Sequence, residues 1–476
     1  MAGSVPFSRR RFIGWMAGTA MTLGLAACTP GAAPTTAPAP AQPAPTAKPG
    51  ETAKPAAPAA PAGTPGAVEF MTRGGEYILN VTKMQVEAFN KEYPTVKINI
   101  DMTTGNHFEK LQLRIAGGNP PDVYFDAMRT QGLAVRKGIA VDLEPYLRAE
   151  KTFNPDEFIK SAWLCQLYDH KRYGLPWDSG AMFLAYNIDL FNKAGVPLPD
   201  PKKRMTWDEV LEIGRKLTLD FSGKHPGDPG FDAKQIKQYG FMPSTMHGHE
   251  GWIYTNGGEI IAEDGSVPID SPEAIEGYQL LADFGVKYYV APSLEFQQSQ
   301  PMTFQAGTVA MAHDGVWMLG RTNEAGVKWG IAPFPVRKTP VSYGQYSGLV
   351  MTTMSKNKDQ AWQWQWWACM SSNGQKILVD TGQQQPVRKD LQSYFVDNPN
   401  PPAKEYRQVA VDELDEKTVR WPGDKSGSFY LGWRQPWIDF WGPVYDPVLR
   451  GRKQFKEIAK ETRQKLEQLL KAGEVS

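Results

Sequence analysis

Residues 96–126 read VKINIDMTTGNHFEKLQLRIAGGNPPDVYFD. Val96, Ile98 and Ile100 alternate with Lys97, Asn99 and Asp101, the period of a half-buried strand. A helix over about 107–116 follows, and Asp122–Asp126 is then a short apolar strand. Upstream, Val68–Thr72 reads as a first strand stopped by Gly74-Gly75. A helix over about 76–92 carries Ile78, Thr82, Val86 and Phe89 on one stripe until Pro94 breaks it. This β-α-β-α-β run argues for an α/β fold with largely parallel sheets.

Later segments agree. Thr206 and Glu209 have capping-box spacing and open a helix to about Leu217. Ser271-Pro272 is an N-cap followed by proline, opening a helix to about Tyr288. Residues 308–313 and 328–333 read as strands. Glu405 to Leu470 is mostly helix, broken by an aromatic-rich stretch at 421–445. About 400 residues follow Val68, so two or more cores are expected. With 41% hydrophobic and 11% aromatic residues, the composition is globular.

The N-terminus is a different kind of sequence. Ser8-Arg9-Arg10-Arg11-Phe12-Ile13 is a basic region of twin-arginine type, followed by an uncharged, mainly apolar run from Ile13 to Ala27. That run is shorter than the ~20 apolar residues a membrane span needs. Leu25-Ala26-Ala27-Cys28 resembles a bacterial lipobox, with Cys28 as the residue that takes lipid. We therefore expect a lipoprotein signal peptide at 1–27, excluded from the fold. Its removal takes three arginines and no acid from 52 basic residues, leaving 49 against 51 acidic ones and a net charge of −2. No basic excess points to nucleic acid. Residues 29–67 hold 11 of the 39 prolines without apolar periodicity. With Cys28 they form the expected disordered tether, 28–67. The two remaining cysteines, Cys165 and Cys369, sit among bulky apolar neighbours and read as buried free thiols, with a disulfide as the alternative.

Residues 361–370, AWQWQWWACM, crowd four tryptophans into six positions. At helical spacing Ala361, Trp364, Trp367 and Ala368 form one stripe, while Trp362 and Trp366 form a second. That is the pattern of a packed helix, so these indoles are expected in the core.

Several motifs together are specific. Gly117–Val123 resembles the GxxPDV turn of family-1 extracellular solute-binding proteins, the sugar-type receptors of ABC importers. Tyr173-Gly174-Leu175-Pro176 and Tyr186–Val196 resemble that family's crossing segment, with Thr206-Trp207-Asp208-Glu209 after it. Phe304–Met311 with Gly315-Val316-Trp317, and Ser355–Lys358 ahead of Ala361, match later motifs of the family in order over about 68–390. The resemblance implies a two-lobed periplasmic-binding-protein fold of class II type, each lobe a mixed sheet flanked by helices, with a ligand cleft between them. Lobe 1 would comprise 68–180 plus 335–384, and lobe 2 would comprise 181–334 plus 385–476. The chain would cross at about 175–186, 330–340 and 380–388, and the lobes would close by hinge motion.

The expected site follows. Trp317 lies on the turn that resembles the family's sugar-stacking position, and an indole face matches the apolar face of a sugar. Trp177, beside Asp178 in the crossing segment, and Trp252 with Asn256, at a turn resembling the family's cleft edge, are further candidates. Carboxylates and guanidinium groups suit paired sugar hydroxyls, so Asp126, Asp178, Asp314, Arg73 and Arg388 are candidates at strand edges and crossings, with Tyr346 in a glycine-flanked turn. The expected partners are a small sugar ligand, ABC permease subunits and, through acylated Cys28, the outer face of the cell membrane. A monomer is expected, with no cofactor, no metal and no catalytic residue. The alternatives are a receptor for glycerophosphate, polyamine, peptide or metal, and an enzyme acting on glycosides. The last needs a pair of carboxylates, for which Asp126 and Asp178 could in principle face each other, but the sequence carries no nucleophile elbow, Walker loop or dinucleotide fingerprint. His247-Gly248-His249-Glu250 carries metal-ligand types but reads as a polar loop.

Overall fold

The computed structural model describes residues 66–472 apart from 104–106, 127–130, 152, 169, 245–248, 263, 295, 297–301, 383, 422–443 and 445. The signal segment, Cys28, nearly all of the tether, His247 and most of the aromatic stretch 421–445 lie outside the described residues.

Local sequence signals resolve into the expected elements. Strand β1 (Gly66–Arg73) pairs in parallel with β2 (Val96–Thr103) from Gly66 onward, so Gly66 and Ala67, assigned to the tether by composition, belong to the sheet. The intervening helix Glu76–Glu92 and the next helix, His107–Ala116, bury their apolar stripes, as period 3.6 requires. Strand β3 (Val123–Asp126) joins β1 in parallel. Asp122, from the Pro-Asp-Val turn, accepts the Glu69 amide at 2.8 Å and the Ser355 hydroxyl, tying β1 to the loop that holds Ser355. Beyond a short hairpin of β4 (Leu167–Tyr168) and β5 (Lys171–Arg172) comes β6 (Gly174–Asn187). The Thr206–Glu209 capping box is present at helix Trp207–Leu217, with the Glu209 amide donating to the Thr206 hydroxyl at 3.1 Å. Helix Pro272–Val286 starts from the Ser271 cap.

Strands β7 (Leu219–Asp220), β8 (Ile236–Met242), β9 (Val309–Gly315), β10 (Trp329–Ala332), β11 (Ser342–Met351) and β12 (Val419–Arg420) complete the sheet, in order β2-β1-β3-β11-β6-β9-β8-β7. β10 adds to β6 and β12 to β11. The decisive member is β6, buried at all 14 positions. Its first half, Gly174–Ala181, runs antiparallel to β11. Its second half, Met182–Asn187, changes partners to β9 and β10. One strand thereby serves two sheet segments, β1-β2-β3-β11 on one side and β8-β9-β10 on the other. Where β11 meets β6, the register slips between Ser347 and Gly348, which pair with Asp178 and Pro176. Trp177 is the extra residue of this bulge, a device that re-aims neighbouring side chains.

The tryptophan-rich segment is helix Lys358–Met370, packed on both expected stripes. Trp364 and Trp367 lie edge-on to Phe89 at 5.3 and 5.7 Å, and Trp364 also meets Phe70. Trp362 and Trp366 lie 5.3 Å apart and reach Tyr146 and Phe153. Only Trp366 is half-buried. Cys369 and Cys165 are both buried and free. In the other half, Trp207 and Trp252 stack at 3.6 Å. With Phe334, 4.7 Å away, they surround His313, whose burial pushes its imidazole down to about 3.

Two stability measurements follow. Trp364→Ala should cost about 3–5 kcal/mol in urea unfolding, and Trp366→Ala clearly less. Equal costs would contradict the two-stripe packing. His313 is neutral when folded, yet in the unfolded chain it gains a proton below its ordinary value of 6.5. Its contribution is therefore complete above pH 6.5 and is lost as pH falls towards 3. By pH 5 the loss should be about 2 kcal/mol. Relative to the parent chain, His313→Phe should flatten the fall in stability between pH 6.5 and 5. An unchanged slope would place the titration elsewhere.

Candidate functional site

Successive residues of a strand face opposite sides. On β6, Asp178 and Gly180 face a cavity of about 280 Å3 beside the strand's change of partners. Arg73 and Gly74 from the end of β1, Ile78 and Phe125 line it from the first sheet segment. Gly74 has φ +111°, a left-handed turn suited to glycine, which swings the chain from β1 into the next helix beside the cavity. Ser244, Asp314, Trp317 and Arg321 line it from the second segment. Gln345, Tyr346 and Ser347 of β11 form the floor with Gln384. The site thus draws on both halves and on the strands between them.

Its carboxylates are partly compensated, Asp314 by contact with Arg321 and Asp178 by the field of Arg73. Asp178 is 6% exposed, and burial pushes its carboxyl up to about 6. The Ser347 amide, donating at 2.7 Å, and the positive charge of Arg73 pull it back. Burial also raises Asp314, which Arg321 opposes by donating at 3.1 Å. The Gly315 amide donates to Asp314 at 3.0 Å, and the Trp317 side chain hydrogen-bonds to it as well. The Arg73 guanidinium sits 5.5 Å over Phe125. The Tyr346 hydroxyl donates to Ser161 at 2.6 Å. Gln384 Oε1 is buried with no hydrogen-bond donor among the described residues. Two guanidiniums, two carboxylates, one half-buried indole and several amides make a polar recess with little net charge.

A family model for bacterial extracellular solute-binding proteins matches residues 79–368, more than half of the chain. The chain belongs to that family. This solute-binding protein is 28% identical over 302 residues to a putative binding protein of Brucella abortus, covering 62% of this chain and 68% of that one. It is 24% identical over 302 residues to the maltodextrin-binding protein of Bacillus subtilis, covering 62% and 67%. Among solved structures, an ABC substrate-binding protein of Listeria monocytogenes in complex with cycloalternan aligns with a TM-score of 0.73 at 24% identity, over 85% of this chain and 98% of that one. The fold is accordingly the two-lobed α/β fold of substrate-binding proteins.

Of the residues singled out in the sequence, Arg73, Asp178, Asp314, Trp317 and Tyr346 meet at this cavity. The others go elsewhere, each for a physical reason. Trp177 neighbours Asp178 on the strand and so faces the opposite side. It is 2% exposed, its indole N–H donates to Gln85 at 3.0 Å, and it lies edge-on to Phe125. Trp252 is 1% exposed and stacked on Trp207, so packing replaces the expected cleft contact. Asn256 donates to the Glu273 carbonyl at 2.7 Å, joining helix His249–Thr255 to helix Pro272–Val286. Arg388 is held by Asp390, Glu157 and the Met370 carbonyl at 2.9–3.1 Å and lies over Phe158. Asp126 ends β3 opposite Gly348, buried and outside the cavity lining. His249 and Glu250 are buried side by side in a helix, 3.3 Å apart.

Sequence reasoning missed Arg321, Gln384, Gln345, Ser347, Ser244 and Phe125. Arg321, on helix Leu319–Glu324, reaches back seven residues to Asp314 at the end of β9, a spacing that no single-element periodicity flags. Gln384 falls inside the third expected crossing. Ser347 reaches Asp178 only through the bulge, which no local pattern announces.

Asp178 also carries a stability cost. Its folded value of about 6 lies above its ordinary 3.8, so the folded state holds the proton more tightly. Stability therefore falls as pH rises from 3.8 to 6, and the full cost applies above pH 6. Asp178→Asn should raise stability at pH 7.5 by about 1–3 kcal/mol relative to the parent, and the gain should vanish near pH 4. A loss at pH 7.5 would mean that the carboxylate is held by more than it costs.

Proposed function

We propose that this protein captures a neutral mono- or oligosaccharide and delivers it to an ABC permease, tethered to the outer face of the cell membrane through acylated Cys28. Lobe 1 is read as 68–180 plus 335–384 and lobe 2 as 181–334 plus 385–476. Ligand bound between them gains contacts from both only when they close, so it shifts the population towards the closed form. No covalent bond of the ligand changes.

One observation carries the reading: an indole stands beside two carboxylates and two guanidiniums whose charges cancel. Sugar hydroxyls replace water on paired carboxylate and guanidinium groups without adding charge. The Trp317 face covers the ring's C–H surface. A phosphate ester would have to draw Arg321 from Asp314 and leave a buried carboxylate uncompensated. This favours sugar over glycerophosphate. The maltodextrin receptor among the relatives is in keeping with it.

A thermal-shift panel of maltose, maltotriose, trehalose, glycerol 3-phosphate and a tripeptide tests the reading. A sugar at 100 times its Kd should stabilise the chain by about 2.7 kcal/mol. Trp317→Ala should weaken its binding, by calorimetry, by about 1–3 kcal/mol. Silence of all sugars together with a response to the phosphate ester or peptide would sink the substrate class. Turnover of a glycoside would replace the receptor by an enzyme.

A further inference from the structure

Gly315, at the end of β9, has φ −127° and ψ −177°, an extended backbone that any residue adopts. What excludes a side chain there is the neighbouring indole. A Cβ on Gly315 would lie 2.4 Å from Cη2 and Cζ3 of Trp317 and 2.8 Å from Cζ2. On β6, a Cβ at Gly180 would lie 3.2 Å from the same Cζ3 and 2.2 Å from the Gln345 carbonyl oxygen. The six-membered edge of the indole therefore rests on bare backbone from two strands. Its side chain is also hydrogen-bonded to Asp314.

We propose that Gly315 and Gly180 form a side-chain-free seat that fixes the plane of the Trp317 indole in the cavity wall. Gly315 is thus a positioning residue for the binding site, acting through Trp317. A methyl group at 315 lifts the ring into the cavity and makes it shallower, so the seat sets how deep a ligand ring can sit. Its bearing on ligand rests on the reading of Trp317 as a sugar-stacking residue, whereas its bearing on the indole does not. Gly180 meets a backbone oxygen as well, so Gly315 is the cleaner position to alter.

The test is a double-mutant cycle on the full chain. Without ligand, Gly315→Ala should lower Tm by about 2–5 °C. It should also shift the indole N–H signal of Trp317 in nitrogen-labelled protein, assigned by its loss in Trp317→Phe. In a Trp317→Ala background the same change should leave Tm almost unaltered. Equal losses in both backgrounds, or an unmoved Trp317 signal, overturn the seat. If Gly315→Ala alone does not fold, a folded Gly315→Ala/Trp317→Ala supports the seat and an unfolded one overturns it. With maltotriose as probe, Gly315→Ala should weaken binding about tenfold in the parent and hardly at all in Trp317→Ala. Silence of the parent towards maltotriose and the other sugars of the panel counts against the carbohydrate reading alone, and the ligand-free cycle still decides the seat.

Discussion

A strand buried over 14 residues must find partners for its backbone along its whole length, because each unpaired N–H or C=O would cost free energy. β6 meets this demand by exchanging β11 for β9 and β10 midway. The exchange joins the two sheet segments, and it opens a recess where the segments diverge. Asp178 and Gly180 stand just before the exchange, and Asp314 and Gly315 pair with Phe183 and Met182 just after it. The cavity-facing groups of the two halves are therefore close in space for the same reason that the halves are connected. The walls of this cavity belong to different segments.

The recess places charge in low dielectric, which is costly unless the charge is matched. Asp178 receives an amide and the field of Arg73, and Asp314 receives an amide, an indole and Arg321. Both carboxyls nevertheless remain above their ordinary range, so the compensation is incomplete. Groups held in this state gain from a ligand that supplies further hydrogen-bond donors. A rigid, well-satisfied network would bind nothing, whereas an uncompensated one would unfold the chain. The residual strain is a feature of binding sites, where stability is given up locally and recovered in the core.

Local elements were legible because periodicity and capping are local. The helices 76–92 and 107–116, the Thr206 cap and the Ser271-Pro272 start all come from interactions within about four residues. The lining of the cavity was half legible. Asp178 and Asp314 could be chosen as carboxylates at strand edges, and Trp317 by its place on a turn. Trp177 shows where such reasoning breaks. Which of two adjacent residues faces the cavity depends on the phase of β6 and on a bulge made with β11, about 170 residues away. Arg388 and Asn256 failed differently. Arg388 is held by its near neighbour Asp390 and by Glu157, and Asn256 by the Glu273 carbonyl; Glu157 and Glu273 come from elements that only tertiary packing brings near. Arg321 was missed because its value lies in reaching Asp314, not in its own neighbourhood.

The tryptophans show why residue type alone does not assign a role. Trp364, Trp367, Trp207 and Trp252 are each at most 2% exposed and meet other rings on several sides. At about 25 cal/mol per Å2 and 150–250 Å2 apiece, each contributes up to roughly 4–6 kcal/mol of burial. A ring so enclosed has no face left for a ligand. Trp317 differs by what surrounds it: glycine on two strands beneath one edge, a carboxylate at its nitrogen, and the cavity beyond. A stacking platform needs a free face, and small neighbours let the edge of a large ring rest on backbone without being engulfed by side chains. The glycines beside Trp317 are thus as informative about its role as the indole itself.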